Sequence, residues 1–342
     1  MRHGPMQFVM MIALFVGANP ALAFIDATLQ LQLGNPSGAL ANPNNHDHFL
    51  IQRTVEAIDY SDRLGQPLWA SWDLTAADVG AATRSTSYYT DTNLPASFYR
   101  VTDSDYTGVG NIDFNRGHLC PSEDRTDTVA DNKLVFFLTN IMPQSGPNNQ
   151  GVWANFETYC RALLTTNELL ILCGPSGFGT NKIPSGKAYI ASNTWKVVVC
   201  VPLGAGTALS RINYTNRVIA ISVPNVTNGL SSSWQTYVTS PKKIEQDTGL
   251  NFFTTLSPDL AAAFRTRVDG TAYAPMLSAA QFTNNTLRFL VNGSSGSNYV
   301  VQATTNLMAP YWISLQTNAA PFVFTEANGS QFNQRYYRSF AK

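Results

Sequence analysis

One amphipathic segment stands alone among β-forming runs, and it narrows the fold more than any total does. In "NQGVWANFETYCRALLTTNE" (149–168), Val152, Trp153, Phe156, Cys160, Leu163 and Leu164 fall on one stripe at roughly 100° per residue. Glu157 and Arg161 lie side by side on its flank. That spacing predicts a helix with one face against a core. Around it lie short apolar runs rich in β-formers: "HFLIQRTVEAIDYS", "QPLWASWDLT", "KLVFFLTNIMP", "ELLILCGPSG", "KAYIASNTWKVVVCVP" and "RVIAISVPN". A second helix is expected in "PKKIEQDTGLNFF". Few helices among many strands give an α+β fold with a mostly antiparallel sheet.

The texture changes after about Pro275. From 276 to 342 short strands alternate with Asn, Gly and Ser turns, as in "TLRFLVNGSSGSNYVVQATTNL", "YWISLQTN", "PFVFTE" and "RYYRSFA". Such a pattern suggests a small β-sandwich module, and it holds no Cys and no His. The boundary is expected between 265 and 280. Trp312 and Tyr336 in this module are read as core residues, in preference to a surface for sugar or another ligand. At the other end, the apolar stretch Phe8 to Val16 is too short to span a bilayer, and Ala21-Leu22-Ala23 is a small-x-small cleavage signature. These residues read as a signal peptide, 1–23, which implies a secreted or periplasmic protein with a main domain over 24–270.

Of the 342 residues, 44% are hydrophobic and 13% charged, so a large core can form. Lys plus Arg (22) equals Asp plus Glu (22), so no global charge draws the chain to nucleic acid or an anionic membrane. Any polyanion site must be a local cluster of cations. The four cysteines, at 120, 160, 173 and 200, allow three pairings and lack the CxxC spacing of a zinc site. His46 and His48 form an HxH in "NNHDHF", with no supporting cluster of carboxylates or histidines, and read as a loop leading into a strand.

His118, one of only four histidines, sits in "NIDFNRGHLCPSEDR" (111–125). Arg116 cannot lose its charge, and Gly117 lets the backbone bend tightly or approach another group. About thirty residues on, Asn149, Glu157 and Arg161 occur on, or at the start of, the predicted helix. An Asn, a Glu and an Arg presented this way can hold a metal, a water and a phosphate.

Those residues carry a resemblance. "NRGH" (115–118), "TNIMPQ" (139–144) and "NQGVWANFE" (149–157) occur in the order of the signature D-R-G-H, S/T-N-x-x-P-Q and N-Q-G-x-W-x-x-x-E. The chain resembles the DNA/RNA non-specific endonucleases of the ββα-metal class, a group that includes secreted bacterial nucleases and mitochondrial endonuclease G. With weaker echoes the similarity runs from about Leu33 to Leu256. It implies a ββα-metal nuclease fold and a Mg²⁺-dependent endonuclease that cuts both DNA and RNA to 5′-phosphate products, with Mn²⁺ as a substitute ion.

The resemblance also implies roles. His118 matches the general base, and an imidazole with an ordinary pKa of about 6.5 can take a proton from water at neutral pH. Asn149 matches the single direct protein ligand to Mg²⁺, and Glu157 the residue that orients a metal-bound water. Arg116 and Arg161 fall on phosphate-gripping positions, and Arg84 in "ATRSTSYYTD" aligns with a further one. Asn115 departs from the signature's Asp, which removes a negative charge beside Arg116 and the metal. If His118 and Glu157 face one site, Cys120 and Cys160 are expected to form a disulfide, while Cys173 and Cys200 either pair or stay reduced.

Two other readings keep the same fold: a nucleic-acid-binding or surface-adhesion protein without catalysis, and a phosphodiesterase for small nucleotides. Oligomeric state, a homodimer included, and any partner of the C-terminal module stay open at this level.

Overall fold

A computed structural model describes residues 27–271 and 275–342. The leader expected at 1–23 lies outside the described residues. The main body is built on a seven-stranded sheet in the order β1-β2-β3-β6-β7-β8-β9, with every neighbouring pair antiparallel. Its strands are β1 (Phe49–Gln52), β2 (Ala57–Ser61), β3 (Gln66–Leu74), β6 (Asn167–Lys182), β7 (Tyr189–Pro202), β8 (Arg217–Pro224) and the short β9 (Val238–Thr239). Between β3 and β6 the chain makes a separate two-stranded ribbon, β4 (Phe114–His118) with β5 (Ile141–Ser145). Among the described residues five short α-helices accompany them: α1 (Val129–Leu134), α2 (Ala154–Ala162), α3 (Ala208–Arg211), α4 (Pro241–Thr248) and α5 (Pro258–Arg265).

The central strands read as unbroken apolar runs because both faces of the sheet are covered. Successive side chains alternate between two cores. Ile171, Cys173, Val198, Cys200, Ile219 and Ile221 pack with Val152, Trp153, Phe156 and Cys160 on the α2 side. Leu170, Leu172, Val197, Val199, Val218 and Ala220 pack with Ile244, Phe252, Leu260 and Phe264 on the side of α4 and α5. The stripe expected on the helix is thus the buried one, with Leu163 partly covered at its end. Helix α4 stops at Gly249, whose φ of 75° is the left-handed cap that glycine favours.

One expected strand is absent. "KLVFF" does not extend, because Thr128 caps α1 by accepting from the Asp131 N–H, and the helix runs through Lys133 and Leu134. Only from Ile141 does that segment become a strand.

The expected Cys120–Cys160 disulfide does not form, and neither does a Cys173–Cys200 bond: all four thiols are free and buried. All four sulfurs fill positions in the α2-side core, where a thiol behaves as a small apolar group. Burial pushes Cys200 up to about 12 and the other three higher still, which suppresses the thiolate that disulfide chemistry requires. Cys173 Sγ donates instead to the Leu119 carbonyl at 3.4 Å.

From Met276 the chain forms two three-stranded antiparallel sheets. One contains β10 (Met276–Thr283), β11 (Thr286–Asn292) and β14 (Phe322–Ala327); the other contains β12 (Asn298–Thr304), β13 (Ile313–Ala319) and β15 (Tyr336–Ala341). Phe289, Val291, Tyr299, Val301 and Phe324, drawn from both sheets, share one small core. Trp312 and Tyr336 are not in it. Both are half-buried on the rim, Trp312 with Arg338 stacked on its ring at 4.1 Å. No described helix is long and apolar enough to cross a membrane.

Candidate active site

The β4–β5 ribbon aligns the sequence motifs. Its register sets Asn115 opposite Gln144, Gly117 opposite Met142 and His118 opposite Ile141. A Cβ on Gly117 would stand 2.2 Å from Gln144 Oε1 and 2.6 Å from Gln144 Cβ, so only glycine admits that side chain. Gln144 Nε2 then donates to Asn148 Oδ1 (2.9 Å), and Asn148 Nδ2 donates to Thr194 Oγ1 on β7 (3.0 Å). This buried relay ties the ribbon to the central sheet. Beyond His118, the loop is pinned by Asn140, whose amide donates to the carbonyls of Cys120 and Val135 (2.8 Å each).

The chain enters α2 through a wide π-type turn, Asn148–Trp153. Such turns change which way side chains face and recur at functional sites. Here Asn149 lies beside Asn115: its Nδ2 donates to Asn115 Oδ1 at 3.2 Å, and its own Oδ1 accepts from no described residue. Glu157 and Arg161 follow on the same helix. A cleft of about 610 Å³ brings together Arg84, Arg116, His118, Asn149, Glu157 and Arg161, all six residues singled out from the sequence.

His118 closes β4 and is 8% exposed. Its ring meets Phe136 edge-on (4.6 Å between centroids, 78°) and tilts against Tyr88 at 5.7 Å. Nε2 has no partner among the described residues. Burial, then the charge of Arg84, pull the imidazole down to about 3, well below the ordinary value expected from the sequence, so at neutral pH the ring is neutral but a weaker base than a free imidazole. A bound phosphodiester anion would offset Arg84 and make the ring more basic.

The three arginines differ. Arg84 is exposed, lies over the Phe136 ring at 5.1 Å and makes no salt bridge with a described residue. Arg116 is steadied by Asp103 through Nε–Oδ1 (2.9 Å) and stacks on Tyr88 and Tyr106 at 5.3 and 5.6 Å. Arg161 is engaged on both sides, by buried Asp124 (3.0 Å) and by exposed Glu123. The outer of those pairs is the one that solvent or an incoming anion can exchange.

Glu157 rests on a residue to which the sequence reading gave no role. Lys196 Nζ donates to Glu157 Oε1 at 2.9 Å, and Oε2 accepts from no described residue. Burial pushes the Glu157 carboxyl up and Lys196 pulls it back. Asp124, Asn148 and Thr194 were likewise missed, being ordinary polar residues until the fold gathers them, and Gln144 was displayed by its motif without a role. Lys196 had a signal: one charge inside the apolar run "WKVVVCV".

The donor set bears on a metal. Among the described residues no group of three or more His, Cys, Asp and Glu side chains could hold an ion by itself. What the cleft offers is the unpartnered amide oxygen of Asn149 and the remaining oxygen of Glu157. Sparse oxygen donors fit a hard cation that keeps most of its water, Mg²⁺ above all, and do not fit a zinc cage. His46 and His48 take no part: each turns Nδ1 to a carboxylate, of Asp62 (2.9 Å) and Asp59 (2.8 Å).

A family profile described as DNA/RNA non-specific endonuclease matches residues 34–259. A nuclease from Nostoc sp. is 35% identical over 275 residues, which span 78% of this chain and 98% of that protein. Nuclease C1 of Cunninghamella echinulata is 27% identical over 245 residues, covering 68% and 92%. The mitochondrial nuclease EXOG of Xenopus laevis is 28% identical over 217 residues, 59% of this chain and 58% of that one. In fold the chain is similar to a solved complex of EndoG with its inhibitor EndoGI, with a TM-score of 0.56 at 19% identity, covering 67% of this chain and 92% of that one.

Proposed function

Because this chain belongs to the DNA/RNA non-specific endonuclease family, we propose that it hydrolyses phosphodiester bonds in DNA and RNA without sequence selectivity and leaves 5′-phosphates. Membership supports nuclease-type activity and a metal-binding function. One observation carries it. His118 and Asn149, the proton acceptor and the metal ligand of this reading, line one cleft, and neither His118 Nε2 nor Asn149 Oδ1 is engaged by a described residue.

Arg84 and Arg116 would hold the scissile phosphate, and Arg161 would join them by exchanging Glu123 for substrate. Neutral His118 takes the proton of the attacking water, in line with the departing 3′ oxygen. Glu157 orients water in the cleft. Asn149 Oδ1 would hold hydrated Mg²⁺, which when bound neutralises charge developing on the phosphoryl and leaving oxygens. Asn115, where the signature has Asp, keeps the Asn149 amide turned by accepting its N–H, without adding charge. Because these groups address the phosphodiester and not base edges, sequence and sugar are weakly read. We assign catalysis to 24–270, an accessory role to 276–342, and export to the leader.

Supercoiled plasmid and a structured RNA, each digested with Mg²⁺, with Mn²⁺ and with EDTA, test this. Both substrates should be cut by the metal-loaded protein and spared in chelator. His118→Ala should lose about 10²- to 10⁴-fold in rate while still binding DNA. Wild-type cutting by that variant would refute the mechanism.

A further inference from the structure

Among the described residues Lys196 is the one buried lysine, 1% exposed, and the mechanism above does not use it. Its place follows from strand parity. Thr194, Lys196, Val198 and Cys200 share the α2 face of β7; Val198 and Cys200 pack into the apolar core, and Lys196 stands level with Cys173 across the sheet. An apolar side chain there would pack without desolvating a charge, and a buried ion pair is weak evidence for stability. The ammonium is housed all the same. It lies over the Trp153 ring at 4.5 Å and the Trp72 ring at 5.3 Å, and its hydrogen bond goes to Glu157 Oε1. Trp72 in turn donates Nε1 to Asp124 Oδ2 (3.1 Å), and the other oxygen of Asp124 holds Arg161. One buried scaffold thus supports two cleft residues from below.

We propose that Lys196 is a positioning residue for the nuclease reaction: it fixes Glu157 through one oxygen and leaves the other for water in the cleft. The proposal rests on the reading of Glu157 given above. Lys196 does not line the cleft, so it acts through the groups it holds, and its hydrogen bond is to that carboxylate. The Trp faces on its flanks limit where Nζ can sit, and Nζ limits where Oε1 can sit.

The test uses the full chain and a double-mutant cycle of Lys196→Met, Glu157→Gln and both together. Met keeps the length of the side chain and its contact with the rings. Two quantities are read: kcat on plasmid DNA, and Mn²⁺ affinity of the DNA-free protein by electron paramagnetic resonance, with melting temperature as a check on folding. Lys196→Met should lower both by about tenfold or more, the scale seen when an outer partner of a metal site is removed. The double variant should be no worse than Glu157→Gln, and Lys196→Arg should recover part of the loss. If Lys196→Met unfolds, Lys196→Gln carries the same cycle. Unchanged kcat and Mn²⁺ affinity in the Lys196 variant, beside an impaired Glu157→Gln, would overturn this proposal alone. So would losses that add in full. A Glu157→Gln enzyme with wild-type turnover would instead overturn the role given to Glu157, and this inference with it.

Discussion

At the scale of the residue, His118 shows what burial does to a base. In the folded chain its ring takes a proton only near pH 3; an unfolded chain takes it near the ordinary 6.5. Between those values the unfolded state binds more protons, so this group's share of stability is complete above pH 6.5 and is lost as pH falls toward 3. His118→Gln removes the ionisation. Urea unfolding at roughly pH 7 and pH 5 should therefore find wild type losing its advantage over the variant on acidification, by up to about 1.4 kcal/mol per pH unit. A constant gap would contradict a buried neutral ring. The sequence displayed His118, Asn149, Glu157 and the arginines because motif spacing survives without coordinates. It hid Asn148 and Asp124, whose importance lies in partners distant along the chain, gave Gln144 a motif but no role, and left Lys196 as an odd charge in a strand.

At the scale of the element, α2 was legible and the α1 region was not. The α2 stripe has a 3.6-residue period that only a helix satisfies, and those residues are the buried ones. "KLVFF" has strand composition, yet a Thr cap begins a helix just before it and wins locally. The cysteines mislead in a related way. Nearness to one cleft suggested a bridge, but each sulfur had already been used as core. Thiol titration without reductant should find the four cysteines inert in the folded protein and four reactive groups after denaturation. Fewer than four would mean that a bond has formed.

At the scale of the whole molecule, the described chain passes from a sheet covered on both faces to two small sheets, from Met276 on, around their own core. The cleft residues all precede that change. A chain ended after residue 275 should therefore cut DNA at close to the full-length rate, measured on the same plasmid; collapse of activity with the truncated chain still folded would give the module a direct part in catalysis. How the two three-stranded sheets pair was not readable, since short alternating strands fit many orders. The relay from Gln144 through Asn148 to Thr194 has one further effect. It joins the β4–β5 ribbon to the turn that begins α2 and to the central sheet through neutral amides and a hydroxyl, sealed from solvent, and mobile ions cannot weaken such bonds as they weaken the grip of exposed guanidinium groups on a polyanion. In brine, then, KM should climb while kcat holds: the tool stays in tune even as its hold on the thread slackens.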